Sequence, residues 1–484
     1  MSRRRPNILF FFTDDQRFDT IRALGNSRII TPHLDALVAG GLTFTHAHIP
    51  GGTCGAVCMP SRAMLHTGRT LFRLQDSGSQ IPAEHVTLGA TLQAAGYHTI
   101  GCGKWHNERA GFNASFSDGD EILMGGQDDH WNVPVYHFDP TGLYEGRLPI
   151  LDRVGHYVYA EQTRWRHGDH VNVGVHSSDM LGNAGVRYVE QYAGCDKPFF
   201  LYLSFLAPHD PRCMPRQYLD MYDGVEIPLP PNYMAGHPFD NGELFVRDEK
   251  LAGFPRRPEE IQGHIREYCA MITHLDAQLG RVLDALKRSG QYENTIIIFS
   301  GDNGLAVGQH GLMGKQSCYE HSVRVPLIFA GPGIPRDART DALVYLLDIF
   351  PTLCALLDLP VPETVDGQSF ADVVREPAGR QARDALYLAY RDCMRGVKDR
   401  QHKLVEYVVE GQHTMSQLFD LENDPWERRN LAGRRDTAQI EQRLRKELLR
   451  FRTAWEDEQT ELGRTFWTAF DAQPSATLLG QFRE

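Results

Sequence analysis

Residues 7–16 read NILFFFTDDQ, and this stretch carries the clearest information about the fold. The largely apolar run from Asn7 to Phe12 has the length of a strand, which is typical of a strand buried on both faces of a parallel sheet. Asp14 and Asp15 follow it at once. Open α/β sheets bind ligands just beyond the carboxyl ends of their strands, so we expect both aspartates in a functional site. Helix capping by either aspartate is the alternative interpretation.

Further apolar runs predict more buried strands, with helices between them. The predicted strands are 97–102, 198–205, 294–300 and 325–330. The predicted helices are 31–39, 87–95, 178–192, a long amphipathic one over 261–286, and a mostly apolar one over 341–357 that we expect to break at Pro351. Residues 212–257 are proline-rich and irregular, which predicts a surface excursion. The expected class is therefore α/β, with a central, mostly parallel sheet flanked by helices.

The length of the chain predicts two domains. Its 484 residues exceed the roughly 250–300 at which a single core stops growing. A polar stretch with proline and glycine at 375–383 marks the predicted boundary. We therefore expect a large domain over 1–378 and a small sheet-and-helix domain over 379–484. The strands predicted in the small domain are 385–391, 402–409 and 417–421, and its helix is 438–455.

The composition limits the partners and the compartment. A net charge of −12 argues against nucleic acid or an anionic membrane as the main partner. The nine cysteines are odd in number and irregularly spaced, which fits reduced thiols in a cytosol. Residues 1–15 hold only a short apolar run, which argues against a cleaved signal peptide. No stretch reaches the ~18 apolar residues of a membrane span, so we expect a cytoplasmic protein. Its oligomeric state stays open.

Residues 57–69, VCMPSRAMLHTGR, contain the most reactive group of the predicted site. Pro60 suits the first turn of a helix, so Cys58 would face the positive N-terminal end of that helix, with Arg62 nearby. Such a position favours an anion. A helix start with a buried or merely reactive cysteine is the alternative.

Lys104 and His106 follow the predicted strand 97–102. Side chains two apart on a strand point to the same side, so both could reach one anion. Solvated loop residues are the alternative.

Asp302 and Asn303 follow the predicted strand 294–300. Together with Asp14 and Asp15 they offer only hard oxygen atoms, which favours Ca²⁺ or Mg²⁺ over zinc or copper. Calcium is the expected ion, because the site needs several carboxylates and a substrate oxygen. Magnesium is the alternative.

Taken together, these motifs resemble those of the type I sulfatases, in the alkaline phosphatase-like superfamily. The matching segments are C-x-P-S-R and T-G within 58–68, G-K-W-H at 103–106, P-H-x-P at 208–211, G-D-N-G at 301–304, G-x-H-G-L at 308–312, Y-E at 319–320 and R-V-P-L at 324–327. The resemblance spans roughly the whole chain but is weak between 107 and 257. It implies an alkaline phosphatase-like fold and a sulfuric ester hydrolase. It also implies a maturation enzyme that oxidises Cys58 to formylglycine.

The same resemblance implies roles for individual residues. The implied metal ligands are Asp14, Asp15, Cys58 as formylglycine, Asp302 and Asn303. Arg62 and the metal would neutralise the sulfate oxygens, and Lys104 would hold the sulfate. His106 would help to deprotonate the hydrated formylglycine. His209 and Lys315 would aid departure of the alcohol, although a lone histidine after a strand is usually structural.

Residues 107–176 show little periodicity and are predicted to form substrate-recognition loops. Their aromatic residues, which argue against disorder, include Trp131, Tyr136, Tyr157, Tyr159 and Trp165. We take Trp131, Trp165 and His310 as candidate substrate contacts, with a structural role for His310 as the alternative. A small sulfated saccharide is the expected substrate, because aromatic and histidine-rich loops suit a sugar. Aryl sulfate and choline sulfate are the alternatives.

Two other functions stay open at this stage. A phosphomonoester, phosphodiester or phosphonate hydrolase of the same superfamily would use similar metal ligands. The combination of Cys58 with Ser61, in place of a serine or threonine nucleophile, favours sulfate. A non-catalytic binding protein on this fold would have lost motif residues, and none is lost.

Overall fold

A computed structural model describes residues 5–151 and 163–472 of the chain. Its strands are β1 (Asn7–Thr13), β2 (Gly41–His48), β3 (Gly51–Gly52), β4 (His98–Lys104), β5 (Asp118–Leu123), β6 (Pro134–Val135), β7 (Arg147–Leu151), β8 (Thr163–His167), β9 (His170–Val171), β10 (Phe199–Ser204), β11 (Thr295–Gly301), β12 (Arg324–Ala330), β13 (Ala338–Thr340), β14 (Val344–Tyr345), β15 (Leu386–Tyr390), β16 (Met394–Lys398), β17 (His402–Val409) and β18 (Gln412–Asp420). Its α-helices are α1 (Pro32–Gly40), α2 (Cys58–Thr67), α3 (Leu88–Ala94), α4 (Arg109–Ser115), α5 (Ser177–Gln191), α6 (Arg216–Asp220), α7 (Pro258–Arg288), α8 (Glu320–Val323), α9 (Ile349–Leu356), α10 (Ala371–Arg375), α11 (Ala438–Ala454) and α12 (Glu461–Asp471).

A large sheet forms the centre of the molecule. Its strand order is β13-β2-β12-β11-β1-β10-β4-β5, and β14 also pairs with β2. The strands β11, β1, β10, β4 and β5 are parallel neighbours, whereas β12 runs antiparallel to β11 and β2. The predicted α/β class with a mostly parallel central sheet is therefore confirmed.

Helices cover both faces of the large sheet. Leu9 and Phe11 of β1 pack in one core with side chains of α1, α5 and α7. Phe10 and Phe12 point to the opposite face and pack with side chains of α2, α4 and α9. Every residue of β1 is buried, which explains why its sequence is a continuous apolar run instead of an alternating one.

A second sheet, in the order β18-β17-β16-β15-β3, lies in the C-terminal part of the chain. Helices α11 and α12 pack against it through Leu444, Leu448, Phe466 and Trp467. The sheet takes one short strand, β3, from the N-terminal part, where Gly51 and Gly52 pair with β15. The division into 1–378 and 379–484 stays a proposal.

The predictions for three segments, 341–357, 107–176 and 212–257, need correction. The predicted helix 341–357 is wrong in its first part, because β14 pairs with β2 there and α9 begins only at Ile349. Pro351 lies in the first turn of α9, where its missing N–H costs no helical hydrogen bond, so the helix is unbroken. Residues 107–176 are not loops throughout, since α4 and the edge strand β5 lie within them.

The third correction concerns residues 212–257, which are only partly a surface excursion. Asp248 and Glu249 are buried. The Glu249 carboxylate accepts hydrogen bonds from the backbone N–H groups of Met313 and Gly314, at 2.9 and 2.8 Å. The segment therefore supports the loop that carries Lys315.

The cysteines and the helices relate to two further sequence predictions. All nine cysteines are free thiols. No helix among residues 5–151 and 163–472 is long and apolar enough to cross a membrane.

Tyr157 and Tyr159, named above as aromatic residues of the recognition segment, lie outside the described residues.

Candidate active site

The polar residues that follow four neighbouring strands meet at one edge of the large sheet. The strands β11, β1, β10 and β4 lie side by side and are parallel. Their carboxyl ends lead, in that order, to Asp302 and Asn303, Asp14 and Asp15, His209, and Lys104 with His106. Backbone hydrogen bonds continue past the strands, from Asp302 N to Thr13 O at 3.0 Å and from Asp14 N to Ala207 O at 3.1 Å. The register of the sheet thus fixes these side chains relative to one another.

Cys58 is the first residue of α2, and its thiol lies over this edge. Its Sγ atom is 3.3 Å from His106 Nδ1, 3.4 Å from Lys104 Nζ and 3.9 Å from Lys315 Nζ. Burial raises the pKa of the thiol to about 11, although both lysines act in the opposite direction. Three nitrogen groups and a helix N-terminus therefore surround a position suited to an anionic group.

The acidic residues form one hydrogen-bonded group. The backbone N–H of Asp15 donates to Asp302 Oδ1 at 2.9 Å, and Asn303 Nδ2 donates to Asp15 Oδ1 at 2.7 Å. Asp14 Oδ1 and Asn303 Oδ1 are buried and have no hydrogen-bond partner among the described residues. Burial, followed by the neighbouring Asp302 carboxylate, raises the pKa of Asp14 well above its ordinary value.

This group fits a divalent cation. Ligand atoms of Asp14, Cys58 and Asp302 lie within 4.8 Å of one another, and so do those of Asp14, Asp15 and His209. A cation would satisfy the two unpartnered oxygens and relieve the repulsion between the carboxylates. Since Asp14, Asp15, Asp302 and Asn303 offer oxygen atoms, the donor set suits Ca²⁺ or Mg²⁺.

Two lysines pair with the aspartates that follow β1 and lie near Cys58. Lys104 is fully buried and forms an ion pair with Asp14, while Lys315 Nζ lies 2.6 Å from Asp15 Oδ1. Burial alone would lower the pKa of Lys315, but nearby negative groups, led by Asp15, hold it well above its ordinary value. Lys315 is therefore charged at neutral pH.

His106 reaches Cys58 through a turn. Strand β4 ends at Lys104, and His106 has a left-handed backbone with φ of 66°. Lys104 and His106 do converge on Cys58, but the expected reason, alternation along a strand, is wrong. Burial, with Lys104 and Arg62 acting in the same direction, lowers the pKa of His106 well below its ordinary value, so its imidazole is neutral at pH 7.

His209 lies beside Asp15 of the acidic group. Its Nδ1 donates to the backbone carbonyl of Asp210 at 2.8 Å, and its Nε2 lies 3.7 Å from Asp15 Oδ2. Burial, with Lys315 and Lys104 acting in the same direction, lowers the pKa of His209 well below its ordinary value.

Arg62 lies beneath the site. Its Nε and Nη2 atoms are 3.0 and 2.8 Å from Asp302 Oδ2, and its Nη1 donates to the backbone carbonyl of Lys104 at 2.9 Å and to Ser204 Oγ. The guanidinium is completely buried. These contacts suit a group that orients Asp302 better than one that faces a sulfate.

The three candidate substrate contacts differ in their surroundings. The His310 ring stacks on Tyr319 at 3.9 Å between centroids, and its Nε2 lies 3.1 Å from the carbonyl oxygen of Glu427, which is the geometry of a packing residue. Trp131 is half-buried against His176. Trp165 stands out because 63% of it is exposed.

A family model described as Sulfatase matches residues 6–359. The chain belongs to the sulfatase family. A second model, described as N-sulphoglucosamine sulphohydrolase, C-terminal, matches residues 308–454. The predicted family and enzyme class are confirmed, and the protein is a sulfatase.

Relatives and solved structures cover most of this sulfatase. An ulvan-active sulfatase of Formosa agariphila is 27% identical over 456 aligned positions, covering 91% of this chain and 80% of the relative. An arylsulfatase of Clostridium perfringens is 28% identical over 484 aligned positions, covering 92% of this chain and 94% of the relative. The crystal structure of a sulfatase from Bacteroides fragilis has a TM-score of 0.74 at 21% identity, covering 96% of this chain and 98% of the other. The phosphonate monoester hydrolase of Agrobacterium radiobacter shares the fold with a TM-score of 0.70 at 23% identity, covering 93% of this chain and 96% of the other.

Sequence reasoning missed a polar network beside the site of this sulfatase. Arg247 Nη1 donates to Asp210 Oδ1 at 2.8 Å and to Asp248 Oδ1 at 3.0 Å, while Gln316 Nε2 donates to Asp248 Oδ2 at 2.7 Å. The network connects the neighbour of His209 with the neighbour of Lys315. No local motif marks Arg247 and Asp248, because they lie in the irregular stretch 212–257.

Proposed function

We propose that this sulfatase releases inorganic sulfate from a sulfated saccharide, with a formylglycine matured from Cys58 as the nucleophile. The observation that carries the proposal is the position of Cys58. It is the first residue of a helix, with His106, Lys104 and Lys315 within 3.9 Å of its Sγ atom and with Asp14 and Asp302 beside it. The Sγ atom marks the place that an oxygen of the modified residue would take.

The modification explains why a cysteine stands there. A buried thiol whose pKa is raised to about 11 stays protonated at neutral pH and is a poor nucleophile. Formylglycine supplies a hydrated aldehyde, whose one hydroxyl can attack sulfur and whose other hydroxyl can expel the sulfate. A separate maturation enzyme is therefore an implied partner.

Asp14, Asp15, Asp302 and Asn303 would hold the metal, which we propose is calcium, with magnesium as the alternative. Residue 58 completes the set through its modified side chain. A bound divalent cation withdraws charge from the sulfate oxygens and acidifies the attacking hydroxyl. Arg62 keeps Asp302 in place through its two contacts with Oδ2.

The remaining polar residues bind the anion and move protons. Lys104 and Lys315 present ammonium groups to the sulfate, and their ion pairs with Asp14 and Asp15 hold them there. His106 is neutral, so its Nδ1 can accept a proton from the hydroxyl that expels the sulfate. His209 and Lys315 are the candidate donors of a proton to the departing alcohol.

Support for a saccharide comes from the relatives, one of which is active on ulvan. The arylsulfatase relative and the shared fold of the phosphonate monoester hydrolase define the competing substrates.

The test uses protein produced with and without a formylglycine-forming maturation enzyme. Intact mass spectrometry of the Cys58 peptide should show conversion of thiol to aldehyde only in the first preparation, and activity should follow that conversion. Metal analysis should find about one calcium or magnesium per chain. The substrate panel is 4-nitrophenyl sulfate, phenyl phosphonate and the mono- and tetrasaccharides of ulvan, carrageenan, chondroitin sulfate and heparin. Full activity of a preparation that contains only the thiol would refute the nucleophile, and a preference for the phosphonate would refute the substrate class.

A further inference from the structure

A cavity of about 440 Å³ lies between the end of β5 and strand β8. Its lining includes Gln127, Asp128, Trp165, Arg166 and His167, with Arg109 at one side. We propose that this cavity is a sugar-binding subsite that holds the residue next to the sulfated one, and that the neighbouring sugar carries an anionic group. The substrate would then be an acidic oligosaccharide. This inference rests on the proposed saccharide sulfatase function and specifies its substrate.

The position of the cavity is set by Gly126. Its two neighbours, Gly125 and Gln127, line the cavity. A Cβ atom on Gly126 would lie only 2.5 Å from His106 Nε2, so the backbone can lie against the imidazole only because this residue is glycine. The opposite nitrogen of that ring, Nδ1, is 3.3 Å from Cys58 Sγ. The imidazole of His106 and the backbone of Gly126 therefore lie between Cys58 and the residues that line the cavity, which places the cavity close to the reacting group.

Trp165 gives the cavity an apolar platform. Its side chain is 63% exposed, whereas the fully buried Trp105 and Trp467 serve as core residues. The residue lies in β8 and pairs with Pro149 of β7, so a two-stranded ribbon holds its backbone. An exposed indole on a paired strand, beside polar groups, is a common feature of ligand sites, because its face covers apolar C–H groups while its rim leaves hydroxyls accessible.

The polar rim of the cavity has two kinds of group. Arg166 Nη1 donates to Asp128 Oδ2 at 2.5 Å, so these two side chains neutralise each other and offer partners for hydroxyl groups. The guanidinium of Arg109 instead donates to the carbonyl oxygen of Leu143 at 2.8 Å and lies 3.5 Å from His167 Nδ1. No carboxylate of the described residues pairs with Arg109. A guanidinium that has no carboxylate partner among residues 5–151 and 163–472 and that lies beside an imidazole favours a carboxylate or a second sulfate on the bound sugar.

The experiment compares variants on substrates of different length. The variants are Trp165→Ala, Trp165→Phe, Arg109→Gln and a control, Leu449→Ala, which removes an exposed apolar side chain from α11. For each variant, kcat/KM is measured on 4-nitrophenyl sulfate and on the monosaccharide and tetrasaccharide forms of each sulfated repeat in the panel above. We expect the ratio of tetrasaccharide to 4-nitrophenyl sulfate to fall about tenfold in Trp165→Ala, less in Trp165→Phe, and not at all in Leu449→Ala. In Arg109→Gln, the loss should be confined to tetrasaccharides with an acidic neighbouring sugar.

Failure of the subsite and failure of the function give different results. An unchanged ratio in Trp165→Ala, or an equal loss on every substrate, would overturn the subsite while saccharide desulfation still stands. Equal losses in Arg109→Gln for neutral and acidic neighbours would remove the anionic part of the proposal. Cleavage of 4-nitrophenyl sulfate with no turnover of any saccharide would overturn the proposed function, and the subsite with it.

Discussion

His209 and Lys315 are the two proposed proton donors to the departing alcohol, and their charge states differ. His209 donates its Nδ1 hydrogen to the carbonyl oxygen of Asp210, and its lowered pKa leaves the imidazole neutral at pH 7, so Nε2 has a proton to give only if substrate binding raises that pKa. Lys315 is held charged by Asp15 and lies 3.9 Å from Cys58 Sγ. A proton donor must lie within reach of the leaving oxygen, and both residues lie beside Asp15, with Lys315 next to Oδ1 and His209 next to Oδ2.

Substrates with different leaving groups separate the two roles. An alkoxide cannot leave unprotonated, whereas a nitrophenolate nearly can, so the value of a general acid grows with the basicity of the leaving oxygen. If His209 is the donor, His209→Ala should lose about 10²–10⁴-fold in kcat/KM on an alkyl sulfate and much less on 4-nitrophenyl sulfate. Both rates are measured at saturating calcium, so that metal loss is not counted as lost acid catalysis.

The exposed histidine His137, which lies outside the cluster of polar residues around Cys58, provides the control for this experiment. His137→Ala should change neither rate. Similar losses on both substrates in His209→Ala, together with a lower thermal midpoint, would assign His209 a structural role and leave Lys315 as the donor.

At the scale of elements, local sequence predicted the strands of the parallel sheet and the polar residues at their ends. A continuous apolar run specifies burial on both faces, and the carboxyl ends of parallel strands share one edge of the sheet. The conformation of the short elements could not be predicted from local sequence. Strand β14 has only two residues, and its pairing with β2 decided its conformation against an apolar pattern that suited a helix.

The geometry of the site depended on contacts that no local pattern contains. Asp15 and Asp302 are 287 positions apart in the chain, and their hydrogen bond exists because β1 and β11 are neighbours. The family resemblance supplied their shared role. Arg247 and Asp248 had no motif, so only the folded chain shows that they support His209 and Lys315.

Helix α2 depends on the glycine that ends it. Gly68 has a left-handed backbone with φ of 64°, and a Cβ atom there would lie 2.7 Å from Val365 Cγ1. Left-handed backbone costs a non-glycine residue roughly 1–2 kcal/mol, and the contact with Val365 adds to that cost. Gly68→Ala should therefore lower the thermal midpoint measurably.

Gly290 offers a matched control for Gly68. It follows the C-terminus of α7 with φ of 71°, and nothing lies within 4 Å of a Cβ atom built there. Gly290→Ala should show the backbone cost alone, so its midpoint should fall less than that of Gly68→Ala when both are measured by calorimetry. An equal or smaller loss in Gly68→Ala would show that Val365 moves aside without cost.

At the scale of the whole molecule, a buried ionic cluster joins the two sheets. Glu320 follows the loop that carries Lys315. Its carboxylate lies 2.5 Å from Lys398 Nζ and 3.2 Å from Lys403 Nζ, and both lysines are on strands of the small sheet. Lys403 also pairs with Glu427, and His48 of β2 lies 3.5 Å from Glu320. Because these groups are buried, the loss of one charge leaves its partners unpaired.

The pKa of Glu320 gives this cluster a predicted pH dependence. Burial alone would raise that pKa, but Lys398 and Lys403 outweigh burial and hold it well below the ordinary value. The stabilisation is therefore complete above the unfolded-state pKa of about 4.3 and is lost as the pH falls through the lower folded-state value. We expect Glu320→Gln to cost about 3–5 kcal/mol at pH 7, since it leaves two buried lysines under-compensated.

The test follows the thermal midpoints of the wild type and Glu320→Gln from pH 7 towards pH 3. The gap between them should be wide at pH 7 and should narrow below about pH 4, where Glu320 of the unfolded chain takes up a proton while the folded carboxylate, with its lowered pKa, is still ionised. Glu293→Gln serves as the control, because Glu293 is exposed and pairs with Arg336 at 3.4 Å on the surface, where such pairs contribute little. A gap that stayed constant over the whole range would show that Glu320 acts through packing and that its charge does not hold the two sheets together.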